Sequence, residues 1–487
     1  MQRLNNKALL RDKAYINGQW CEAQSGARMP VLDPATSEQI ATVADLDGAD
    51  VSLAIDAANA ALPAWRRKTA KERAALLRNW FERIVAAKDD LAILMTAEQG
   101  KPLAESAGEV MYGASFIEWF AEEGKRVYGD VVPTHAADKR VIVTKEPVGV
   151  VAAITPWNFP NAMITRKAAP ALAAGCTIVI KPAEDTPLSA LALMVLAEEA
   201  GIPAGVINIV TSSRSAEVGQ TLTDSPIVRK LSFTGSTAVG KQLMRQCADT
   251  VKKISLELGG NAPLIIFDDA DLDRAIPAAI ACKFRNAGQT CVCANRVLVQ
   301  DGIYDEFIKR YKVAVEQMTI GHGLQGTFDQ GPMINAAAIG KVEELLNDAT
   351  SKGARVVTGG ERHPLGEAFY RPTVLADVTP EMRVAKEEIF GPLAPIFRFD
   401  TEEQAIQMAN DTEYGLAAYF FANNLGRVWR VQEGLEYGMV AVNEGILSTE
   451  VAPFGGIKES GIGREGSKYG IDEYVEMKYV LIGGIDK

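Results

Sequence analysis

Apolar residues recur at helical spacing through residues 51–127, where alanine, leucine and glutamate are frequent. The clearest periodic segments predict helices over residues 70–87 and 107–125, because apolar positions three and four apart share one helix face. Thr69 and Glu72 have the spacing of a capping box at the start of the first segment. We therefore predict that this region is helical.

The flanking regions show strand patterns. Residues 15–20 predict a hairpin with an Asn-Gly turn. Residues 139–145 alternate in the manner of a strand, but no neighbouring segment offers a partner. This ribbon is expected to pair with a distant part of the chain or with another subunit, because an unpaired strand edge is a template for association. The chain ends in a β-rich tail, residues 471–482.

From residue 150 onward, apolar strand-sized runs alternate with helix-sized segments. This alternation predicts a parallel, doubly wound sheet with a ligand site at the carboxyl ends of its strands. The predicted strands are residues 150–155, 177–181, 206–210, 231–234 and 253–257, and the predicted helices are residues 163–174, 188–200, 215–223 and 238–247.

A second alternating region begins after residue 258 and predicts a second α/β domain that extends to about residue 445. Its first predicted elements are a strand over 263–267, a helix over 272–284, a strand over 296–299 and a helix over 304–318.

Glycine-rich turns are expected over residues 453–470. The segment from Gly461 to Gly466 fits the dinucleotide fingerprint G-x-G-x-x-G. However, no strong strand precedes it, and too few residues follow it for the rest of a βαβ unit. We interpret this segment as a turn.

The chain has 487 residues, which is enough for roughly two or three domains. The net charge of −11 argues against a nucleic acid or an anionic membrane as a partner, because both require a basic surface. No apolar run reaches the length of about 20 residues that a membrane-spanning helix needs. The first twenty residues lack the apolar centre of a signal peptide, so a cytoplasmic location is expected.

Six cysteines in a chain of this length do not form a disulfide framework. The three histidines, His135, His322 and His363, lie in polar, turn-rich segments. A catalytic histidine or a histidine-rich metal site is therefore not expected, and we predict that a carboxylate serves as the base and that no metal is bound.

Cys291 follows a Gly-Gln turn and is surrounded by potential hydrogen-bond donors. A thiol that attacks a carbonyl group needs a base and donors for the oxyanion. Glu257, at the end of a predicted strand, is a candidate base. For an isolated cysteine, the alternative is a small buried thiol without a chemical role.

Further candidate residues lie where predicted strands end. Gly235 and Ser236 precede a helix, whose free amide groups could bind a phosphate. Lys181 and Glu184 could bind the hydroxyl groups of a ribose, and the charge of Glu184 would repel a 2′-phosphate. Asn158 could donate to an oxyanion. For each of these motifs a cap, a turn or a solvated loop is the alternative.

Glu388 precedes a Phe-Gly-Pro turn, where it could hold a ribose beside a flat ring, and a surface acidic pair is the alternative. Considered together, the motifs from about residue 14 to the end stand in one family's order, and the chain closely resembles the aldehyde dehydrogenase superfamily. The motifs are F-x-x-x-G-Q-x-C, L-E-L-G-G, T-P-W-N-F-P, K-P-A-E, F-T-G-S-T, E-x-F-G-P and P-F-G-G-x-K.

The resemblance implies an α/β fold with three parts. These are a Rossmann-like NAD-binding domain (1–127 and 147–258), an α/β catalytic domain (259–465) and a small β oligomerisation domain (128–146 and 466–487). It also implies a homodimer or a homotetramer, whose oligomerisation domain is built from the 128–146 ribbon and the C-terminal tail.

The resemblance also assigns roles to residues. Cys291 matches the family nucleophile, Glu257 the general base, and Asn158 with the Cys291 amide the oxyanion hole. The residues that match the cofactor contacts are Trp157, Lys181, Glu184, Gly235, Ser236, Leu258, Glu388 and Phe390. The carboxylate at position 184 favours NAD as the cofactor, with NADP less favoured.

Within the superfamily, the local sequence is similar to succinate-semialdehyde dehydrogenases, so an aldehyde with a distal carboxylate is the expected substrate. Such a substrate needs a cation in its pocket, preferably arginine. Arg166 and Arg285 match the family's carboxylate-binding arginines, and Ser448 matches a hydroxyl that assists them. Cys293 is a candidate for a redox switch, because some members of this subgroup form a Cys-x-Cys disulfide.

Other functions remain open at this stage. A glutarate-semialdehyde dehydrogenase, or a dehydrogenase for another ω-carboxy aldehyde, would need the same groups, and one methylene provides only about 1–3 kcal/mol of discrimination. A thiol hydrolase could use Cys291 and Glu257 without a cofactor. A non-catalytic relative would be expected to have lost one of these two residues.

Overall fold

The computed structural model describes residues 3–485. Short strands precede a group of helices in the N-terminal part of the chain. These elements are β1 (Ala14–Ile16), β2 (Gln19–Cys21), β3 (Arg28–Leu32), β4 (Gln39–Ala44), α1 (Gly48–Arg66), α2 (Ala70–Ala86), α3 (Lys88–Gln99) and α4 (Leu103–Glu123).

The predicted hairpin and helical region are confirmed. Strands β1 and β2 pair antiparallel around Asn17 and Gly18, whose positive φ angles suit a tight hairpin turn. The capping box of α2 forms between Thr69 and Glu72. The helix predicted over 107–125 begins earlier, at Leu103, because Pro102 occupies the position before its first turn.

The middle of the chain alternates strands and helices close to the predicted bounds. Its elements are β5 (Asp130–Val132), β6 (Lys139–Pro147), β7 (Val150–Ile154), α5 (Ala162–Ala174), β8 (Thr177–Lys181), α6 (Pro187–Glu199), β9 (Ile207–Ile209), α7 (Ser215–Asp224), β10 (Val228–Thr234), α8 (Thr237–Ala248) and β11 (Lys253–Glu257).

The alternation continues through the C-terminal part. Its elements are β12 (Ala262–Ile266), α9 (Leu272–Phe284), β13 (Ala294–Gln300), α10 (Tyr304–Glu316), α11 (Ala336–Ser351), β14 (Arg355–Thr358), β15 (Thr373–Ala376), α12 (Arg383–Lys386), β16 (Leu393–Phe399), α13 (Glu402–Asn410), β17 (Ala417–Phe421), α14 (Leu425–Gly434), β18 (Met439–Val442), β19 (Gly461–Ile462) and β20 (Val475–Gly483).

The first sheet has the strand order β19-β11-β10-β7-β8-β9-β1-β2, and its central strands β7 to β11 run parallel. One apolar face packs against helices α2 to α6, and the other packs against α1, α7 and α8. The predicted parallel, doubly wound sheet is confirmed. Its carboxyl ends present the loops after β7, β8, β10 and β11, which hold most of the candidate residues.

The second sheet has the order β14-β15-β16-β13-β12-β17-β18. All of its pairs are parallel except the pair between β14 and β15. The predicted second α/β region is therefore confirmed. Cys291 lies in the segment between α9 and β13 of this region, so the candidate nucleophile and the candidate base Glu257 come from different sheets.

The ribbon predicted at residues 139–145 finds its partner at the other end of the chain. Strand β6 pairs antiparallel with β20 from Pro147–Val475 to Lys139–Gly483. Apolar side chains are exposed on both sides of this ribbon sheet: Met477 and Tyr479 on one face, with exposed fractions of 76% and 61%, and Val131 on the other, at 81%. An exposed apolar face supports the predicted oligomer, but the oligomer and the domain bounds stay predictions.

The segment from Gly461 to Gly466 is not a simple turn, which corrects the sequence-based interpretation. Gly461 and Ile462 form β19, which pairs antiparallel with Leu256 and Glu257 at the edge of the first sheet. Gly461 has a φ of 144°, and a Cβ atom there would lie 2.0 Å from the Leu256 carbonyl oxygen. Only glycine allows this backbone to approach the candidate base so closely.

No helix within residues 3–485 is both long enough and apolar enough to cross a membrane.

Candidate active site

Cys291 follows a turn with an unusual backbone. Helix α9 ends at Phe284, and Asn286, Ala287 and Gly288 then have φ angles of 52°, 56° and 74°. A left-handed conformation costs a residue such as alanine roughly 1–2 kcal/mol, so the surrounding structure must hold this turn. The turn brings Cys291 to the surface of a cavity, where its side chain is partly exposed. Arg285 lies in this turn, directly after the end of α9.

Cys291 lines a cavity of ≈ 380 Å³ between the loops of the first and second sheets. The candidate residues that share this cavity come from four separate segments of the chain. They are Trp157, Asn158, Gly235, Ser236, Leu258, Glu388 and Phe390. Helix α11 contributes Lys341, which the sequence motifs did not indicate.

One wall of this cavity can bind an anion. Ser236 is the N-cap of α8, and its hydroxyl accepts a hydrogen bond from the Val239 amide at 3.4 Å. The Gly235 amide donates to the Glu257 carbonyl at 3.0 Å, which joins the phosphate-type loop to the strand of the candidate base. The remaining amides of the first turn of α8 and the helix dipole favour a phosphate group here.

The opposite wall combines aromatic rings with a carboxylate. The Trp157 and Phe390 rings lie edge to face with their centroids 5.6 Å apart. Glu388 Oε1 accepts a hydrogen bond from the Gly260 amide at 2.9 Å. Burial raises the pKa of Glu388 to about 7. A carboxylate beside flat apolar rings suits a ribose that carries a planar heterocycle.

Lys181 and Glu184 do not line this cavity. Glu184 lines a neighbouring cavity of ≈ 390 Å³, and the start of α11 separates the two spaces by contributing Ala336 to one and Ala337 to the other. Glu184 Oε2 contacts the Ser215 hydroxyl at 3.2 Å and Lys181 Nζ at 3.5 Å. The lysine and glutamate candidates therefore lie together, with the carboxylate partly exposed.

On its other side, Cys291 lines a small cavity of ≈ 20 Å³. This cavity brings together Arg166, Arg285 and Ser448. Its remaining walls are largely apolar and aromatic, with Tyr112, Phe159, Met163 and Phe454. The thiol thus lies between a larger cavity and a compact cationic pocket.

The two arginines of this pocket differ in their partners. Arg166 is buried, with Nη2 2.8 Å from Glu465 Oε2 and the guanidinium 4.0 Å from the centre of the Phe454 ring. Burial opposes the charge of Arg166, but the nearby Tyr112 and Glu465 keep its pKa above the usual value. Arg285 contacts the Phe159 ring at 5.4 Å and makes no ion pair with a carboxylate within residues 3–485.

Glu257 and Glu465 form a buried acidic pair, and the charge of Glu257 also acts on the Cys291 thiol. Burial and then the charge of Glu465 raise the pKa of Glu257 well above its usual range. Burial also opposes ionisation of Glu465, but Lys167 and Arg166 outweigh it and lower the pKa of that carboxyl. The pKa values of two carboxyl groups in a shared site move apart in this way, so Glu257 holds a proton more strongly than Glu465 does.

The pKa of the Cys291 thiol lies far above its usual value. Burial and then the charge of Glu388 raise its pKa to about 12. The thiol is therefore protonated at neutral pH in the absence of ligands and needs a base to become a nucleophile. Asn158 holds the nearby turn, because its Nδ2 donates to the Gln289 carbonyl at 3.0 Å.

Cys293, the candidate redox partner, is a free and buried thiol. Its Sγ donates to the Gly288 carbonyl at 3.3 Å and accepts from Lys283 Nζ at 3.7 Å. A disulfide with Cys291 would have to break these contacts. The switch stays a prediction.

The fold and this thiol between two cavities define a class of α/β oxidoreductases that combine a cysteine with a bound dinucleotide. A model of the aldehyde dehydrogenase family matches residues 20–480. The chain belongs to the aldehyde dehydrogenase family, and it is an aldehyde dehydrogenase that uses NAD(P).

Individual relatives cover the whole chain. The succinate-semialdehyde dehydrogenase [NADP(+)] of Escherichia coli (strain K12) is 62% identical over 99% of this chain and 100% of its own length. A glutarate-semialdehyde dehydrogenase of Pseudomonas aeruginosa is 60% identical over 99% and 100%. The crystal structure of succinate-semialdehyde dehydrogenase from Burkholderia pseudomallei has a TM-score of 0.98 and 59% identity, with 99% and 100% coverage.

Proposed function

We propose that this enzyme oxidises succinate semialdehyde to succinate, with NAD preferred over NADP. The observation that supports this substrate most directly is Arg285, a guanidinium without a carboxylate partner in the small pocket beside Cys291. A guanidinium can bind a carboxylate with two parallel hydrogen bonds. A distal carboxylate on the substrate would thus anchor one end of the molecule while Cys291 attacks the other.

In the first half of the proposed reaction, the Cys291 thiol gives up its proton to solvent water, and the resulting thiolate adds to the aldehyde carbon and forms a thiohemiacetal. The Asn158 side-chain amide and the Cys291 backbone amide donate to the oxyanion. The dinucleotide supplies a hydride acceptor in the larger cavity, whose helix N-terminus, aromatic rings and Glu388 fit its phosphate and ribose groups. Loss of hydride from the carbon leaves a thioester on Cys291.

In the second half, Glu257 accepts a proton from water, which attacks the thioester carbon and releases the carboxylic acid and the thiol. Glu257 must be ionised to accept this proton. Glu465, which Lys167 and Arg166 keep ionised, lies close enough to raise the pKa of Glu257. The raised pKa of Glu257 makes this carboxylate a stronger base than an ordinary glutamate.

Arg285→Ala tests the proposed substrate. We expect KM for succinate semialdehyde to rise by about 100-fold, because a charge-assisted hydrogen-bond pair of about 3 kcal/mol is lost. KM for an uncharged aldehyde of similar length should change little. Steady-state kinetics of Arg285→Ala and of the charge-retaining Arg285→Lys would measure both effects. Equal losses for charged and uncharged aldehydes would contradict this role.

Glu184→Ser tests the cofactor preference. The unmodified enzyme should have the higher kcat/KM with NAD, since the partly exposed Glu184 carboxylate would repel the 2′-phosphate of NADP. Removal of this charge should lower the ratio of kcat/KM with NAD to kcat/KM with NADP by about tenfold, which corresponds to about 1.4 kcal/mol. The comparison is kcat/KM for NAD and NADP in both proteins. An unmodified enzyme that prefers NADP, as the name of the E. coli relative indicates for that protein, would refute the proposal.

The second candidate substrate is glutarate semialdehyde. The name of the P. aeruginosa relative supports this substrate, and Arg285 could bind the carboxylate of glutarate semialdehyde as well. One methylene separates the two substrates and provides only about 1–3 kcal/mol of discrimination. A kcat/KM series over ω-carboxy aldehydes of increasing length, with matched uncharged aldehydes, would rank them.

The remaining proposals concern the alternative functions, the oligomer and the cellular location of the enzyme. Because the chain belongs to the aldehyde dehydrogenase family, a thiol hydrolase without a cofactor is not needed to explain its motifs. A non-catalytic relative is not favoured either, because Cys291 and Glu257 are both present. The homodimer or homotetramer and the cytoplasmic location remain expectations. Sedimentation analysis of the purified protein would measure the oligomer.

A further inference from the structure

The segment that joins α3 to α4 contacts both loops of the active site. Gln99 is fully buried and Lys101 is 1% exposed, although neither lines the cavities beside Cys291. No motif in the sequence pointed to this segment. Its buried polar groups therefore need a structural or a functional explanation.

Lys101 contacts the loop of the candidate oxyanion donor. Its Nζ donates to the backbone carbonyl of Asn158 at 2.7 Å and lies 4.0 Å from the centre of the Phe159 ring. It also forms a buried ion pair with Glu109. Glu109 in turn accepts hydrogen bonds from the amides of Asn161 and Ala162, at 2.9 and 3.2 Å, where α5 begins.

The same carbonyl also contacts the nucleophile turn. Asn286 Nδ2 donates to the Asn158 carbonyl at 3.1 Å, so this single oxygen atom accepts from both Lys101 and Asn286. Gln99 Nε2 donates to Asn286 Oδ1 at 2.9 Å, and the Asn286 amide donates to Glu105 Oε2 at 2.9 Å. These bonds hold Asn286 in its left-handed conformation.

We infer that Lys101 is a positioning residue that aligns the oxyanion donor Asn158 with the Cys291 turn. A cation that donates to the peptide carbonyl of Asn158 fixes the orientation of that residue, and hence the direction of its side-chain amide. Glu109 balances the positive charge of Lys101 in their ion pair. Lys101 therefore acts by holding the Asn158 backbone in place and not by stabilising the oxyanion electrostatically. This inference rests on the proposed oxyanion role of Asn158.

The reaction step most sensitive to this alignment is the formation of the thiohemiacetal, which creates the oxyanion. A misplacement of about 1 Å at such a site can reduce the rate by about 100-fold. Alkylation of Cys291 by iodoacetamide creates no oxyanion. A loss of alignment would therefore slow hydride transfer and leave alkylation unchanged, whereas general damage to the site would slow both.

The test compares the double variant Lys101→Met/Glu109→Gln with the unmodified enzyme. Glutamine at position 109 keeps the acceptor for the start of α5 and leaves no unpaired buried charge. We expect the pre-steady-state burst of NADH to slow by about 100-fold. KM for NAD and the rate of Cys291 alkylation should not change.

Lys252→Met is the matched control, because Lys252 is also buried and also donates to backbone carbonyls, those of Ser225 and Val228. This variant should show the burst of the unmodified enzyme. A double variant whose burst equals that of this control would overturn the inference. A parallel loss of burst and alkylation would overturn it as well.

If the double variant does not fold, Asn286→Gly decides the question, because glycine keeps the left-handed backbone and removes the second donor to the Asn158 carbonyl. Its burst should slow by about tenfold, as expected for the one hydrogen bond that the Asn158 carbonyl loses, with alkylation unchanged. A normal burst would overturn the inference. Failure of the proposed substrate is distinguishable, since the unmodified enzyme would then show a burst with another aldehyde and none with succinate semialdehyde.

Discussion

Replacement of Cys291 by alanine is expected to lower kcat by on the order of 10⁵-fold, because removal of the proposed covalent nucleophile eliminates the whole two-step pathway. NAD should still bind, since the residues of the helix α8 N-terminus and Glu388 are unchanged. The measurements are kcat with succinate semialdehyde and the dissociation constant of NAD by fluorescence titration.

Cys293→Ala is the matched control for this experiment. It removes a thiol of similar size two residues away, and its side chain faces Gly288 and Lys283 instead of the two cavities. Its kcat should stay close to that of the unmodified enzyme. Substantial turnover by Cys291→Ala would contradict the assignment of the nucleophile.

The pH dependence of thiol alkylation gives a second measurement on Cys291. Burial and Glu388 raise its pKa to about 12, so only a small fraction is thiolate below that pH. In the enzyme without ligands, the alkylation rate should therefore rise by about tenfold per pH unit between roughly pH 6 and 9. A plateau near neutral pH would show that another group already ionises the thiol.

The second large effect is expected for Glu257→Gln, which should separate the two halves of the reaction. Glutamine cannot accept a proton from water, so the steady-state kcat should fall by about 10²–10⁴-fold, the usual contribution of a general base. The thioester should still form once, because hydride transfer precedes the action of this base. Rapid mixing with aldehyde and NAD should therefore show a burst of NADH, followed by very slow turnover.

The pH profile of the unmodified enzyme checks the same role. In the proposed mechanism Glu257 acts when it is ionised, and burial and the charge of Glu465 raise its pKa. The steady-state kcat should therefore fall as the pH decreases through a value above the ordinary glutamate range. Glu257→Asp should restore part of the turnover, whereas a burst absent from Glu257→Gln would assign this residue to the first half of the reaction.

Much of the fold follows from local sequence patterns. The alternation of apolar runs predicted the strands and helices from residue 150 onward, and three of the predicted elements, β8, β11 and α9, match the observed bounds without any shift. Short-range features have this reliability because their causes lie within a few residues. The capping box at Thr69 and the Asn-Gly turn are examples, since each requires only neighbouring atoms.

The candidate site depends on contacts that no local pattern contains. From the sequence, Arg166 and Arg285 had the same expected role as carboxylate-binding residues. In the structure, Glu465 forms an ion pair with Arg166 and none with Arg285. Likewise, the glycine-rich segment at Gly461 becomes a strand because it lies against β11, which comes about 200 residues earlier in the chain. These arrangements depend on which distant segments pack together.

The sequence by itself determined the chemical groups of this enzyme: a thiol behind a turn, a carboxylate at a strand end and amide donors at a helix start. Only the tertiary structure decided their environment. Burial shifts the proton affinities of Cys291 and Glu257, because a low dielectric disfavours charge. The structure also brings Lys101 onto the Asn158 carbonyl, a contact between residues whose motifs are unrelated in sequence. Side-chain chemistry is local, whereas the field and the alignment around it arise from the packing of the whole chain.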